Sequence, residues 1–358
     1  MSDPAPPEDK KKRSWSAIFN LVMLVVGACA LAWMLRSTSW HELRNVITGV
    51  GVLAAVILAL ELGGMCCDAA ALKAFMAPEA RMVTYVRVLG SWASGRAINV
   101  LTPFSALGEA TKVTMLSEYA PRARVLSSMI LLSVARLYLE VLFMVVGIPI
   151  TLLLVDLPDA IKVIVFAGMA VIIPAMIALG FMIQRGAVAS LVGILRRVRL
   201  IGAERAANWK EKLKETDQHI RELHKQRTSG TRLGMLFVLI SKALTVSSTI
   251  LIMVGIGVEL SPALVIGVLS VGVLITWVSS TVPLGMGLAD GGNYALYTLL
   301  GASGDHGMYF AMIARARSLV IAIVGLAAMS VIHAQGRYAS WQIGRKIIRL
   351  KAERAAEG

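Results

Sequence analysis

Cysteine, histidine and charge are all scarce in this chain. Of its 358 residues only 16% are charged and 6% aromatic, with three cysteines and five histidines. Each shortage removes a class of function. Cys29, Cys66 and Cys67 lie in or near apolar segments, without metal-ligand spacing or an accompanying histidine cluster, and read as small packing residues. The histidines, at positions 41, 219, 224, 306 and 333, are scattered over loops and helix ends. The sequence has no HExxH, no GxSxG, no phosphate-binding GxxxxGKS/T, and no Cys/His pair at recognisable spacing. No segment between the apolar runs is large enough to form a soluble catalytic domain. No metal and no cofactor is therefore expected.

Apolar residues dominate instead, at 57% of the chain, with a mean hydropathy of +0.71. Crossing roughly 30 Å of hydrocarbon takes about 20 residues of helix. Runs of that kind are Ser16–Leu35, Val46–Met65, Val125–Val155, Ile161–Ile183, Leu233–Val258, Ala263–Val282 and Met308–His333. The first is too long for a signal peptide and no small-x-small cleavage site follows it. The composition is that of a polytopic membrane protein.

The net charge of +14 is placed unevenly, so it reads as topology rather than as nucleic-acid binding. Lys10 to Arg13 precede the first run, Arg185 to Arg232 form a long basic loop, and Arg337 to Arg354 form a basic tail. Asp156–Asp159 and Glu259 mark short acidic connections. Retention of Lys and Arg on the cytoplasmic side places the N-terminus, basic loop and C-terminus inside, and the acidic connections outside.

Two stretches do not fit plain spans. "NVLTPFSALGEATK" (Asn99–Lys112) lies within 84–119, whose two ends both carry arginines. "STVPLGMGLADGG" (Ser280–Gly292) lies within 262–300, between Glu259 and Asp305. Proline removes a backbone donor and disfavours helix in the residue before it, so each segment reads as two half-helices meeting at a turn. Such backbone is tolerated at membrane depth only where protein or a polar cavity satisfies it. The expected fold is an all-α polytopic membrane protein. It has about six full transmembrane helices plus two broken re-entrant hairpins, entering from opposite faces in an inverted-repeat arrangement. The offset in sequence from Glu109 to Arg136 equals that from Asp290 to Arg317 (136 − 109 = 317 − 290). A proline, an acid and an arginine recur in the same order, with Arg315 a rival to Arg317.

The expected organisation follows. Residues 1–13, rich in proline and charge, form a disordered cytoplasmic N-terminus. Membrane half one covers 14–185, a basic amphipathic cytoplasmic linker 186–231, membrane half two 232–335, and a basic cytoplasmic tail 336–358. In the linker Trp209, Leu213, Ile220 and Leu223 recur at helical spacing, which fits a helix on anionic lipids of the inner leaflet or a solvated helical linker.

Charges inside a membrane cost roughly 2.5–3.5 kcal/mol each and usually pair or line a pathway. They are Glu61, Asp68, Arg96, Glu109, Lys112, Arg136, Glu140, Lys242, Asp290, Arg315 and Arg317. Arg136 and Glu140 are four apart and can pair along one helix face. Asp68 can mark the cytoplasmic end of its helix. The excess of cations suits an anionic, phosphate-bearing headgroup, as do the free N–H groups of half-helices starting near Ala106 and Leu288. Gly285, Gly287, Gly291 and Gly292 allow close backbone approach or helix packing.

"NVLTPFSALGEATKVTML", followed by "SVARLYLEVLF", resembles the first motif of the flippase-like transmembrane domain of lysylphosphatidylglycerol synthases. "STVPLGMGLADGGNYALYTLLG", followed by "MIARARSLV", resembles that family's second motif. The resemblance covers roughly residues 15–335. It implicates Asn99, Pro103, Gly108, Glu109 and Arg136 in the first half, with Lys112 beside them. In the second half it implicates Pro283, Gly285, Gly287, Asp290 and Arg317 or Arg315. Leu107 stands where the family has the first glycine of a pair, and Asp290 where it has glutamate. The sequence stops at Gly358, soon after the last apolar run, where the synthases continue into an aminoacyl-transfer domain. The resemblance thus implies translocation, without synthesis, of an anionic phospholipid or polyprenyl- or hopanoid-type lipid through a central charged cavity, in a bacterial inner membrane, with anionic membrane lipids as partners and no nucleic acid. Two other readings are an intramembrane lipid-modifying transferase with Glu109 or Asp290 as base, and a non-transporting scaffold docking through its basic loop.

Overall fold

The computed structural model of the chain describes residues 50–77, 83–102, 106–155, 229–282 and 287–356, with isolated positions elsewhere and the backbone alone over 335–356. The expected spans Ser16–Leu35 and Ile161–Ile183, the N-terminus and the basic linker lie outside the described residues. So do Pro103 and Pro283.

Eight helices and no strand are found among the described residues. They are α1 (Val52–Phe75), α2 (Tyr85–Leu101), α3 (Ala106–Leu116), α4 (Arg122–Leu154), α5 (Ser229–Gly255), α6 (Pro262–Ser279), α7 (Leu288–Leu299) and α8 (Gly304–Ala356). Helices α1, α4, α5, α6 and the Gly304–Ala334 part of α8 are long and apolar enough to cross a membrane. Their outer faces carry bare aliphatic side chains such as Val52, Leu153 and Val331, as lipid-facing helices do. The chain is an integral membrane protein.

Helix ends follow local chemistry. Thr102 is extended (φ −121°, ψ 148°) and closes α2, the conformation a following proline imposes; its hydroxyl donates to the Ile98 carbonyl at 2.6 Å. Ser261 caps α6, accepting from the Leu264 N–H at 3.1 Å, with Pro262 in the first turn. At the start of α7, Gly287 takes φ 79° and its N–H donates to Asp290 Oδ2 at 3.0 Å. Helix α1 continues past the expected end at Met65 as far as Phe75, because nothing in "CCDAAALKAF" breaks a helix. Asp68 therefore lies mid-helix and buried rather than at its end.

The helices pack in antiparallel pairs. Helix α1 lies along α5: Ile57 clusters with Ile252 near one end and Phe75 with Val238 near the other, with the Ser241 hydroxyl donating to the Gly64 carbonyl at 3.2 Å between them. Helix α2 packs on α8 through Ala97, Ile98 and Leu101 against Ala322, Leu326 and Met329. Helix α6 packs on α4, with Met144, Ile148 and Leu152 against Val271, Leu274 and Trp277. Helices α2 and α3 fold back on each other, as do α6 and α7. Each hairpin thus leans on the long helix that follows the other hairpin.

Candidate functional site

The first hairpin is held by a contact that only glycine permits. Gly95 on α2 and Gly108 on α3 face each other so closely that a Cβ on Gly108 would overlap the Gly95 carbonyl oxygen and the Asn99 Oδ1. That approach lets Asn99 reach across. Its Oδ1 accepts from the Gly108 N–H at 2.8 Å, satisfying one of the unpaired donors in the first turn of α3. Its Nδ2 donates to Glu109 Oε1 at 3.2 Å. The same oxygen of Glu109 receives the Lys112 ammonium at 2.5 Å. Four of the residues singled out from the sequence, Asn99, Gly108, Glu109 and Lys112, therefore form one network.

Lys112 is itself buried, and its ammonium lies 3.8 Å from the centre of the Trp92 ring. The Arg136 guanidinium lies 6.0 Å from the same ring. Stacking of cations on an indole face is worth about 2 kcal/mol or more when desolvated. Trp92 thus joins α3 to α4 electrostatically, a role its sequence context did not signal.

In the first half the acid and the arginine that the motif sets together do not pair, and in the second half the acid takes the alternative arginine. Glu109 is bound by Lys112 and Asn99, whereas Arg136 pairs with Asp68 on α1 at 3.4 Å. Nor does Glu140 turn to Arg136 one helical turn away: it accepts from the Trp277 indole N–H on α6 at 3.0 Å. Arg136 is still close enough to Glu61, Glu109 and Glu140 to feel all three charges. In the second half Asp290 pairs with Arg315, whose Nη2 reaches Oδ1 at 2.9 Å and Oδ2 at 2.7 Å. Arg317 looks elsewhere. It donates to the Ser248 hydroxyl on α5 at 3.2 Å and pairs with Glu61 on α1, also at 3.2 Å.

Glu61 is the residue that joins the halves, and sequence reasoning left it out of the site. Its carboxylate is 4% exposed and takes Arg96 of α2 on Oε1 and Arg317 of α8 on Oε2. A signal for it exists: its neighbours one turn away, Ile57, Leu58, Gly64 and Met65, are all apolar. A carboxylate with no partner on its own helix needs one from another helix. Removing one member of such a buried pair typically costs about 3–5 kcal/mol, because a bare charge is left behind.

At the second hairpin Gly285 (φ 65°) and Gly287 (φ 79°) hold the left-handed backbone that precedes α7. Asp290 serves two groups there, its own helix N-terminus and Arg315. Beside the Asp290–Arg315 pair, four cations, Arg96, Lys112, Arg136 and Arg317, gather from α2, α3, α4 and α8 around carboxylates that stand mainly on α1. The chemistry of the site is that of charge compensation, mainly between helices.

Residues 20–325 match the family model described as the lysylphosphatidylglycerol synthase TM region. No curated protein and no solved structure matches the chain.

Proposed function

The chain belongs to the lysylphosphatidylglycerol synthase TM region family, and from that premise we propose that it is a flippase moving an anionic membrane lipid between leaflets. The observation that carries this reading is the ionic cluster itself. Glu61, Asp68, Arg96, Lys112, Arg136 and Arg317 all sit on helices of a strongly apolar bundle. Buried charge of this kind is expensive, and where a membrane protein retains it the charges pair with one another and commonly line a substrate path. The headgroup would travel among these side chains while the acyl chains stay in hydrocarbon.

The hairpins α2–α3 and α6–α7 would enter the membrane from opposite faces as inverted repeats. Support comes from the exchange of packing partners, α2 with α8 and α6 with α4, and from the antiparallel pairing of α1 with α5. A pseudo-two-fold axis between α1 and α5 accounts for both. Half-helices α3 and α7 would then turn their N-termini inward, where free N–H groups favour anions. The distribution of basic residues supports a multi-pass protein of a bacterial inner membrane with both termini in the cytoplasm.

Reconstitution into vesicles tests the proposal. Parent protein should accelerate transfer of labelled phosphatidylglycerol between leaflets, and Glu109→Ala and Arg136→Ala should slow it at least about tenfold. Equal rates in parent and variants would remove these residues from the path. Thin-layer chromatography of lipids from overexpressing cells separates the transferase reading: an enzyme changes lipid species, whereas a flippase changes only their sidedness.

A further inference from the structure

We propose that Glu61 is an internal stand-in for the substrate's anion. It holds Arg96 and Arg317 together and yields them to an anionic oxygen group, such as a phosphodiester, when one binds. This inference rests on the transport reading and identifies how its site is kept ready.

Three features of the geometry lead there. First, two guanidiniums share one carboxylate, so the trio carries one positive charge more than it balances. Holding that excess charge in a partly buried place is costly unless an anion completes it. Second, the arginines come from different halves of the chain, Arg96 on α2 and Arg317 on α8, and Glu61 stands between them. An anion held by both arginines therefore bridges the halves as Glu61 does. Third, the acid is closed off while its partners are not. Glu61 is 4% exposed, but the side chains of Arg96 and Arg317 are 29% and 20% exposed. Both arginine side chains thus stay partly accessible where the acid is not. Arg317 Nε is buried without a hydrogen-bond partner, so the guanidinium keeps a donor that its present contacts do not use. The neutral Ser248 hydroxyl keeps Arg317 in place during the exchange.

An internal competitor has a signature that a merely structural carboxylate lacks. Removing it should strengthen ligand binding while weakening transport, because the bound anion no longer faces a rival that displaces it. The experiment measures binding of phosphatidylglycerol, with phosphatidylcholine as the neutral control, to purified full-length protein in mixed micelles. Leaflet transfer is measured in vesicles made with the same lipids. Glu61→Gln should bind phosphatidylglycerol about tenfold more tightly than the parent and move it more slowly. Glu61→Asp keeps the charge but shortens its reach, and should shift both quantities the same way by a smaller factor; it serves alone if Glu61→Gln does not yield monodisperse protein. Inorganic phosphate added as competitor distinguishes the ligand's source. Displacement of lipid by millimolar phosphate assigns the site to the phosphoryl group itself, and failure to displace assigns it to the lipid as a whole. Binding by the variants that is no tighter than the parent's overturns the proposal and leaves the transport reading standing. A parent that neither binds nor moves phosphatidylglycerol overturns both.

Discussion

Replacing Gly108 with alanine puts a methyl group where the first hairpin has no room for one. The new Cβ would sit 2.5 Å from Asn99 Cγ and overlap both the Asn99 Oδ1 and the Gly95 carbonyl oxygen. One of these is backbone and the other is fixed by two hydrogen bonds, so neither can step aside cheaply. The hairpin must open, and Asn99 must release the Gly108 N–H. Overpacking of this kind costs about 1–3 kcal/mol, and each lost hydrogen bond adds about 0.5–1.5 kcal/mol. With that one bond lost the sum is about 1.5–4.5 kcal/mol, which should lower the thermal midpoint in detergent by several degrees. Gly291 is the matched control. It also lies in a half-helix, but a Cβ there meets nothing within 4 Å, and alanine in a helix is favoured over glycine by about 1 kcal/mol. Gly291→Ala should therefore be neutral or stabilising. If the two substitutions shift the midpoint alike, the close approach of α2 and α3 is not what the protein adopts.

Two further sets of substitutions probe the rearranged charge pairs. In a double-mutant cycle read by thermal stability, Asp290→Ala and Arg315→Ala should couple by about 0.5–3 kcal/mol, as contacting residues do. The cycle of Asp290→Ala with Arg317→Ala should be additive within about 0.5 kcal/mol. Trp277→Phe removes the indole donor to Glu140 and should destabilise by about 1.5–3 kcal/mol, the range for a hydrogen bond to a charged group. Trp277→Phe in a Glu140→Gln background should cost measurably less, and an unchanged cost would place the effect in packing alone.

What the sequence could show of this protein was whatever is decided locally. Apolar runs located α4, α5 and α6 to within a few residues, because hydrophobic length is a property of the segment itself. The extended Thr102 and the left-handed Gly285 and Gly287 sit where proline and glycine chemistry put them. The pairing of charges was harder, since it depends on how separate helices are turned toward each other. The same offset between acid and arginine recurs in the two halves, but it records equivalent positions, not contact. Lys112 stands one turn from Glu109 and reaches it first, which frees Arg136 for Asp68. Asp68 admitted two readings, a buried charge or a helix end, because Asp68 and Lys73 lower the local hydropathy, while a helix stops only where its backbone is interrupted. The partners of Glu61 and the role of Trp92 were hidden for a related reason. Arg96 and Arg317, which hold Glu61, and Lys112 and Arg136, which flank Trp92, all stand on other helices, and no motif reaches from one to the next.

Transport of the proposed kind requires a lipid headgroup to lodge among charges between the two halves, within the bilayer. An experimental map of the full chain in nanodiscs containing phosphatidylglycerol tests this most directly. The expected result is headgroup density within ion-pair distance of Arg136 and of Arg96 or Arg317, with acyl density running out between helices. Lipid found only around the periphery, with these arginines still closed on Asp68 and Glu61 and no path between leaflets, would contradict it.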